Sequence, residues 1–175
     1  MSVNSDASAL LNALASADRL ALLAAVTSTP DRLLSDLADE LGRPIRDLVK
    51  EVARLADCGL VKVVDRRVSA DLSVLRGTAD ALVDALPISG LLATAPELRR
   101  FFVNGRLTEL TVDHRVKLAL APLLARLFPA DRELSEAEVN EILHQVHDDH
   151  AYLRRMLVDF GQLTRDAGAR YRRAG

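Results

Sequence analysis

This chain has no tryptophan and one cysteine, and only 3% of its 175 residues are aromatic. A single thiol, Cys58, excludes an internal disulfide; placed just before Gly59 at an expected helix end, it reads as a packed thiol and not a reactive one. The scarcity of aromatics alongside 49% hydrophobic residues points to compact helices packed through leucine, alanine and valine. No run approaches the ~20 apolar residues of a membrane span. The start, MSVNSDASALL, lacks the basic residues and apolar core of a signal peptide, so the expected location is the cytoplasm, with no membrane partner. Catalytic patterns are missing as well. There is no glycine-rich phosphate loop after a strand, no G-x-S-x-G and no supported cysteine–histidine pair, so an enzyme is not expected and no cofactor is implied.

The net charge of −2 excludes wholesale coating of nucleic acid, yet the charge is uneven. Residues 1–98 hold 10 Lys/Arg against 14 Asp/Glu, net −4, and residues 99–175 hold 13 against 11, net +2. From Arg154 to the end, six arginines face only Asp159 and Asp166. A local basic patch, not overall charge, is what phosphate contact requires.

Leu134 to Arg173 carries the strongest pattern. Ser135 and Glu138 form a capping box that starts a helix at about Glu136. Val139, Ile142, Leu143 and Val146 recur at i, i+3, i+4 and i+7, one buried stripe of a helix expected to end near His147. Asp148 or Asp149 can cap the next helix, with Leu153, Met156, Leu157 and Phe160 inward and Tyr152, Arg154, Arg155 and Asp159 toward its sides and water. Gly161 stops it. Gln162 to Arg165 and Ala169 to Arg173, around Asp166-Ala167-Gly168, have hairpin chemistry. A short helix, a turn, a second helix and a basic hairpin are the parts of a winged helix-turn-helix.

The motifs E-x-E-V-N, L-R-R-x-L-V-D and G-x-L-x-R here are Glu136, Glu138, Val139, Asn140, Leu153, Arg154, Arg155, Leu157, Val158, Asp159, Gly161, Leu163 and Arg165. With Phe101-Phe102-Val103-Asn104-Gly105-Arg106-Leu107, they make residues 97 to 173 resemble the bacterial domain-of-unknown-function family 2087. That family has no assigned chemistry and is known mainly for sitting beside helix-turn-helix modules. Where it tends to carry Pro and Lys after the Gly-Arg-Leu segment, this chain has Thr111 and Asp113.

Residues 1–6 are polar and expected to be disordered. Helices are expected over Ala7–Leu14, Asp18–Thr27 and Ser35–Leu41, and a fourth with Pro44 in its first turn. In that fourth helix Ile45, Leu48, Val49, Val52, Leu55 and Ala56 form a nearly ideal buried stripe. Gly59 ends it, and Leu60–Val64 with Val68–Leu72 read as a second wing around Asp65-Arg66-Arg67. Leu10 to Val26, the LADELG run at Leu37 to Gly42, and Leu55 to Val61 make residues 7 to 75 resemble the ArsR-like winged-helix repressors. The resemblance implies a DNA-binding fold whose fourth helix enters the major groove and whose first helix helps build a dimer. Leu34-Ser35-Asp36-Leu37-Ala38 has no cysteine pair, so the metal site of the metal-sensing members is absent.

A helix over Thr78–Leu86 follows, and Pro87-Ile88-Ser89-Gly90 with Ala95-Pro96-Glu97 suggests a linker over 87–96. The second half then opens with Leu98–Val103, and a long helix over Asp113–Phe128 must kink or divide at Pro122. Leu55-x-x-x-Gly59 with Val61 and Asp65 parallels Leu157-x-x-x-Gly161 with Leu163 and Asp166. The fold class expected is therefore mainly α with small β-hairpin wings: tandem winged helix-turn-helix domains over 1–86 and 97–175.

Candidate DNA contacts fall in two groups. Arg46, Lys50 and Arg54 line up at i, i+4 and i+8, with Arg43 before them and Arg66 and Arg67 on the wing tip; arginine can grip guanine bidentately and either residue can hold phosphate. Against this, Asp47 and Glu51 can pair with Lys50 and Arg54 at i+3 and make a salt-bridged solvent face. The second group is Tyr152, Arg154 and Arg155 with Arg165, Arg170, Arg172 and Arg173, in which the wing arginines are expected on phosphate and one of the adjacent pair is expected to lock the helices through Asp148, Asp149 or Asp159. His144, His147 and His150 have helical spacing for a shared metal, but a solvent-facing corner is the expected reading, with no metal. The function expected is that of a bacterial transcription regulator, a homodimer on double-stranded DNA. The alternative is a protein-interaction module built on winged helices that have lost DNA binding.

Overall fold

A computed structural model describes residues 2–110 and 112–174; Thr111, where the family's pattern differs, lies outside the described residues. The chain is mainly helical with small antiparallel sheets, and it divides into two compact units, Met1–Leu82 and Val83–Gly175.

In the first unit, α1 (Val3–Leu14) begins four residues earlier than the apolar pattern suggests and takes up the stretch expected to be disordered. The reason is a cap: the Ser2 hydroxyl accepts from the Ser5 N–H, satisfying a donor that the first turn leaves orphaned. Next come α2 (Ala17–Ser28), a two-residue strand β1 (Arg32–Leu33), α3 (Leu34–Glu40) and α4 (Ile45–Asp57), then β2 (Val61–Val64), β3 (Arg67–Ala70) and α5 (Ser73–Asp84). The sheet order is β1-β3-β2. Pro44 is the residue before α4 and not its first helical residue. The start of α5 lies five residues upstream of expectation because the Asp71 carboxylate accepts from the Ser73 N–H (3.1 Å) and hydroxyl (2.5 Å).

One expectation for α4 fails in an informative way. Leu48, Val52 and Leu55 are buried against Leu22, Val26, Leu37 and Val68, but Ile45, Val49 and Ala56 face water. The elements packed on α4 are α2, α3 and β2, and only three positions of its stripe are covered.

In the second unit the end of α5 is followed by α6 (Pro87–Ala93), where a linker was expected. Proline suits a first helical position, having no N–H to leave unpaired. Ile88 and Leu92 are buried in this unit's core with Leu98, Leu107 and Leu120. A 3₁₀ turn (Pro96–Phe101) leads to β4 (Phe102–Val103) and β5 (Arg106–Leu107). Helix α7 (His114–Ala125) passes Pro122 undivided, with Leu120, Ala121, Leu123 and Leu124 inward. Then come β6 (Leu134–Ser135), α8 (Glu136–His144), α9 (His150–Asp159), β7 (Leu163–Arg165) and β8 (Arg170–Arg173), in the sheet order β6-β8-β7.

The connectivity α2-β1-α3-α4-β2-β3 of the first unit thus recurs as α7-β6-α8-α9-β7-β8, with the sheets in equivalent order. The recurrence extends to single hydrogen bonds. Gly59 and Gly161 are left-handed (φ 78° and 66°), as a helix C-terminus of this type requires. Leu60 N donates to Leu55 O (2.9 Å) and Gln162 N to Leu157 O (2.8 Å), while the two glycine N–H groups donate to Ala56 O and Val158 O at 2.9 Å. The helix starts differ: α8 has a complete capping box of Ser135 and Glu138, whereas Leu33 precedes α3 without a side-chain cap.

Candidate nucleic-acid interface

On α4 the outward face carries cations. Arg46 and Lys50 have side chains 83% and 75% exposed, and Arg54 is exposed with them. Asp47 stands 4.0 Å from the Arg46 guanidinium and 3.8 Å from the Lys50 ammonium. Exposed pairs of this length contribute less than about 1 kcal/mol, so Asp47 does not hold either cation against a phosphate. Glu51 does not pair with Arg54. It accepts from Arg19 at 3.0 Å, in a half-buried bridge. Arg19 also donates through Nη2 to Asn12 O (2.9 Å) and through Nε to Ala13 O, so one guanidinium fastens α4 to the end of α1. That acid is consumed inside the unit, and sequence spacing alone could not reveal it.

The flanking arginines divide. Arg43 is turned back to Asp18 (3.2 Å), and its Nη1 is buried without a hydrogen-bond partner. Arg66 is exposed at the β2–β3 turn, where Asp65 and Arg66 both have positive φ (48° and 65°), the geometry that matches strand twist in a two-residue turn. Arg67 donates to Asp31 O at 2.9 Å and approaches its carboxylate at 3.4 Å.

In the second unit the arginines converge inward on Glu136. Arg154 Nη2 lies 3.0 Å from Glu136 Oε1, and Arg165 Nη2 lies 3.7 Å from Oε2. The Tyr171 hydroxyl donates to Oε2 (3.2 Å), and Arg154 Nη1 donates to Asn140 Oδ1. Both guanidiniums sit near the Tyr171 ring, 5.9 and 5.7 Å from its centroid. Burial pushes the Tyr171 phenol above its ordinary value, so it remains a donor to the carboxylate. The Arg154 side chain is only 16% exposed. One of the adjacent arginines does lock the helices, but through Glu136 and Asn140 and not through Asp148, Asp149 or Asp159.

Counting back from the two glycines gives the reason. Arg154 stands seven residues before Gly161, as Val52 stands before Gly59, and Val52 is a core position. By the same count Asp148 and Tyr152 take the places of Arg46 and Lys50. Asp148 is bound to Arg106 (2.5 Å), which also donates to His144 O (3.0 Å) and ties β5 to the α8–α9 turn. Tyr152 has the Lys117 ammonium 5.4 Å from its ring centroid. Arg155 is exposed, with Nε on Ala151 O at 3.3 Å. On the hairpin, Arg170 and Arg172 are exposed, Arg172 lies 3.5 Å from Glu133, and Arg173 reaches Phe128 O at 3.5 Å.

The histidines use their nitrogens locally. His147 Nδ1 accepts from the Asp149 N–H (2.9 Å), and His150 Nδ1 donates to Asp148 O (3.0 Å), which can only accept. Among the described residues no group of three His, Cys, Asp or Glu is placed to hold a metal. No single described helix is long and apolar enough to cross a membrane.

Residues 106–173 match the family described as "Uncharacterized protein conserved in bacteria (DUF2087)". The match takes in α8, α9 and the hairpin, and it starts later than the resemblance read from residue 97. No curated protein and no solved structure matched the chain. Within the matched segment the motif residues Glu136, Asn140, Arg154 and Arg165 meet in the one cluster just described, Glu138 closes the cap, Gly161 ends α9, and Leu153, Leu157 and Leu163 fill the core. Most of the motif residues of this segment therefore hold the fold together, while Arg155 and Asp159 remain exposed.

Proposed function

We propose that the protein is a bacterial transcription regulator made of two tandem winged helix-turn-helix domains, the first ArsR-like, which binds double-stranded DNA through α4. The observation that carries this reading is the exposed row Arg46, Lys50 and Arg54 on the second helix of a helix-turn-helix, free of strong ion pairs. A recognition helix of 13 residues, about 20 Å long, suits a major groove, with Arg66 at the wing tip beside it for phosphate. The second unit supports a different role. Its equivalent positions are Asp148, in the turn before α9, and Tyr152 on α9, so this surface suits a protein contact better than a base edge, and Arg170 and Arg172 add only phosphate affinity. Homodimerisation through α1 and α2 is supported by Leu11 and Leu20, both exposed. No enzymatic role is proposed, and the site of action is cytoplasmic.

The test is binding of the full chain to its own upstream DNA and to random duplex at two salt concentrations. The expected result is affinity that falls steeply with salt and prefers the upstream DNA. Arg46→Ala with Lys50→Ala abolishes the preference, whereas Arg170→Ala with Arg172→Ala lowers the salt slope by about one per lost phosphate contact and keeps the preference. Absence of binding to either duplex at low salt sinks the reading and favours the protein-interaction module.

A further inference from the structure

We infer that the apolar flank of α4, Ile45 and Val49, reads thymine, with the two side chains taking C5 methyl groups in the major groove beside Arg46 and Lys50. This rests on the DNA-binding reading above and deepens it. Ile45 and Val49 are 51% and 47% exposed although the amphipathic pattern of α4 places them beside the core stripe. One turn apart on the same flank, they border the exposed cations Arg46 and Lys50, each 100° away around the axis. The opposite flank carries Asp47 and Glu51, the latter fixed by Arg19. The outward surface is thus ordered apolar, basic, acidic around the helix.

That order decides the occupant. A face that only tracks phosphates needs cations on both margins, whereas base edges in the major groove mix acceptors for Arg and Lys with the thymine methyl, the one apolar group exposed there. A protein partner laid on Ile45 and Val49 has to desolvate Arg46 and Lys50, which have no strong partner of their own; a duplex supplies the opposite charge on either side of its groove. The position along the helix fits as well. Both residues are in the first two turns, next to backbone N–H groups without a side-chain cap, while Asp57 marks the far end of the same face. Residues four apart on a helix rise about 6 Å, on the order of two base steps of 3.4 Å, so the two methyls belong to thymines about two base pairs apart.

The experiment selects duplexes for the full chain from a random-sequence DNA library, then remakes a selected duplex with deoxyuridine in place of each thymidine in turn, which removes only the methyl. The expected result is one or two positions where deoxyuridine weakens binding about fourfold each, the value of one buried methyl group. Ile45→Ala and Val49→Ala each erase the penalty at one of these positions while leaving the salt dependence unchanged; both residues are at the surface, so the fold is retained. Equal binding of thymidine and deoxyuridine duplexes by the unaltered protein overturns the inference and leaves DNA binding standing. Failure to enrich any duplex overturns the DNA-binding reading itself. A change from dimer to monomer on sedimentation of the two variants, with the thymidine preference intact, assigns the flank to a second copy and also overturns it.

Discussion

Arg154 and Arg170 are both arginines of the basic C-terminal stretch, and burial separates them. Arg154 makes charge-assisted hydrogen bonds to Glu136 and Asn140 in a half-buried cluster, so its removal leaves the Glu136 carboxylate with weaker partners. Arg154→Ala is expected to lower the stability of the second unit by about 1.5–3 kcal/mol in urea unfolding, and Arg170→Ala to stay within about 0.5 kcal/mol. Equal effects would refute the assignment of Glu136 as a structural hub. Glu138 gives a pH signature. Hydrogen bonds from the Ser135 N–H, then Arg132 and the Ser135 hydroxyl, lower its carboxyl from 4.5 to about 2. Since the folded group titrates below the unfolded one, the stabilisation is complete above about pH 4.5 and disappears as the pH falls toward 2. Thermal unfolding of the protein and of Glu138→Gln should therefore show a gap at pH 7 that closes across that window. Asp71, held near 2 by Lys62 and Ser73, loses its contribution over the same range in the first unit.

At the scale of elements, the two helix exits offer a matched comparison. Gly161 has open space where a Cβ would stand, so Gly161→Ala costs only the left-handed backbone penalty, about 1–2 kcal/mol. At Gly59 a Cβ would also meet Val74 Cγ2 at 3.3 Å, a branched side chain with little freedom to yield. Gly59→Ala is expected to destabilise more than Gly161→Ala, and equal shifts in the denaturation midpoint would show that α5 moves aside. These exits, the capping box of α8 and the stripe of α9 were legible in the sequence because each is specified within about ten residues. Strands β1 and β6 were not. Two residues long, they exist only because β3 and β8 offer an edge to pair with, as in Leu134 opposite Tyr171. The inward turn of Arg154 was half legible: the family motif and the capping acids suggested a lock, but its true partner, Glu136, lies on another helix 18 residues earlier. The same limit explains Glu51, whose partner Arg19 is 32 residues away, and the half-exposed stripe of α4, since periodicity reports what a helix is able to bury and not how much its neighbours cover.

For the molecule as a whole, the two cores share no residue. One gathers Leu10, Leu22, Leu37, Leu48, Leu55 and Val68; the other gathers Ile88 through Tyr171. The two units also use their cations differently, outward on α4 in the first and partly spent on Glu136 in the second. Cys58 turns this division into a chemical reporter. Its thiol is half-buried at the end of α4, hydrogen-bonded to Leu55 O (3.3 Å) and Arg54 O (3.5 Å). A bulky maleimide reaches it faster when that helix end opens, and no other sulfhydryl in the chain competes for it. Leu48→Ala, which removes a fully buried side chain at a cost of about 2–5 kcal/mol, should accelerate alkylation, whereas Leu157→Ala should leave the rate unchanged. Acceleration by both would mean that the units open together. A lone sulfur thus times the breathing of the first unit while the second stays silent.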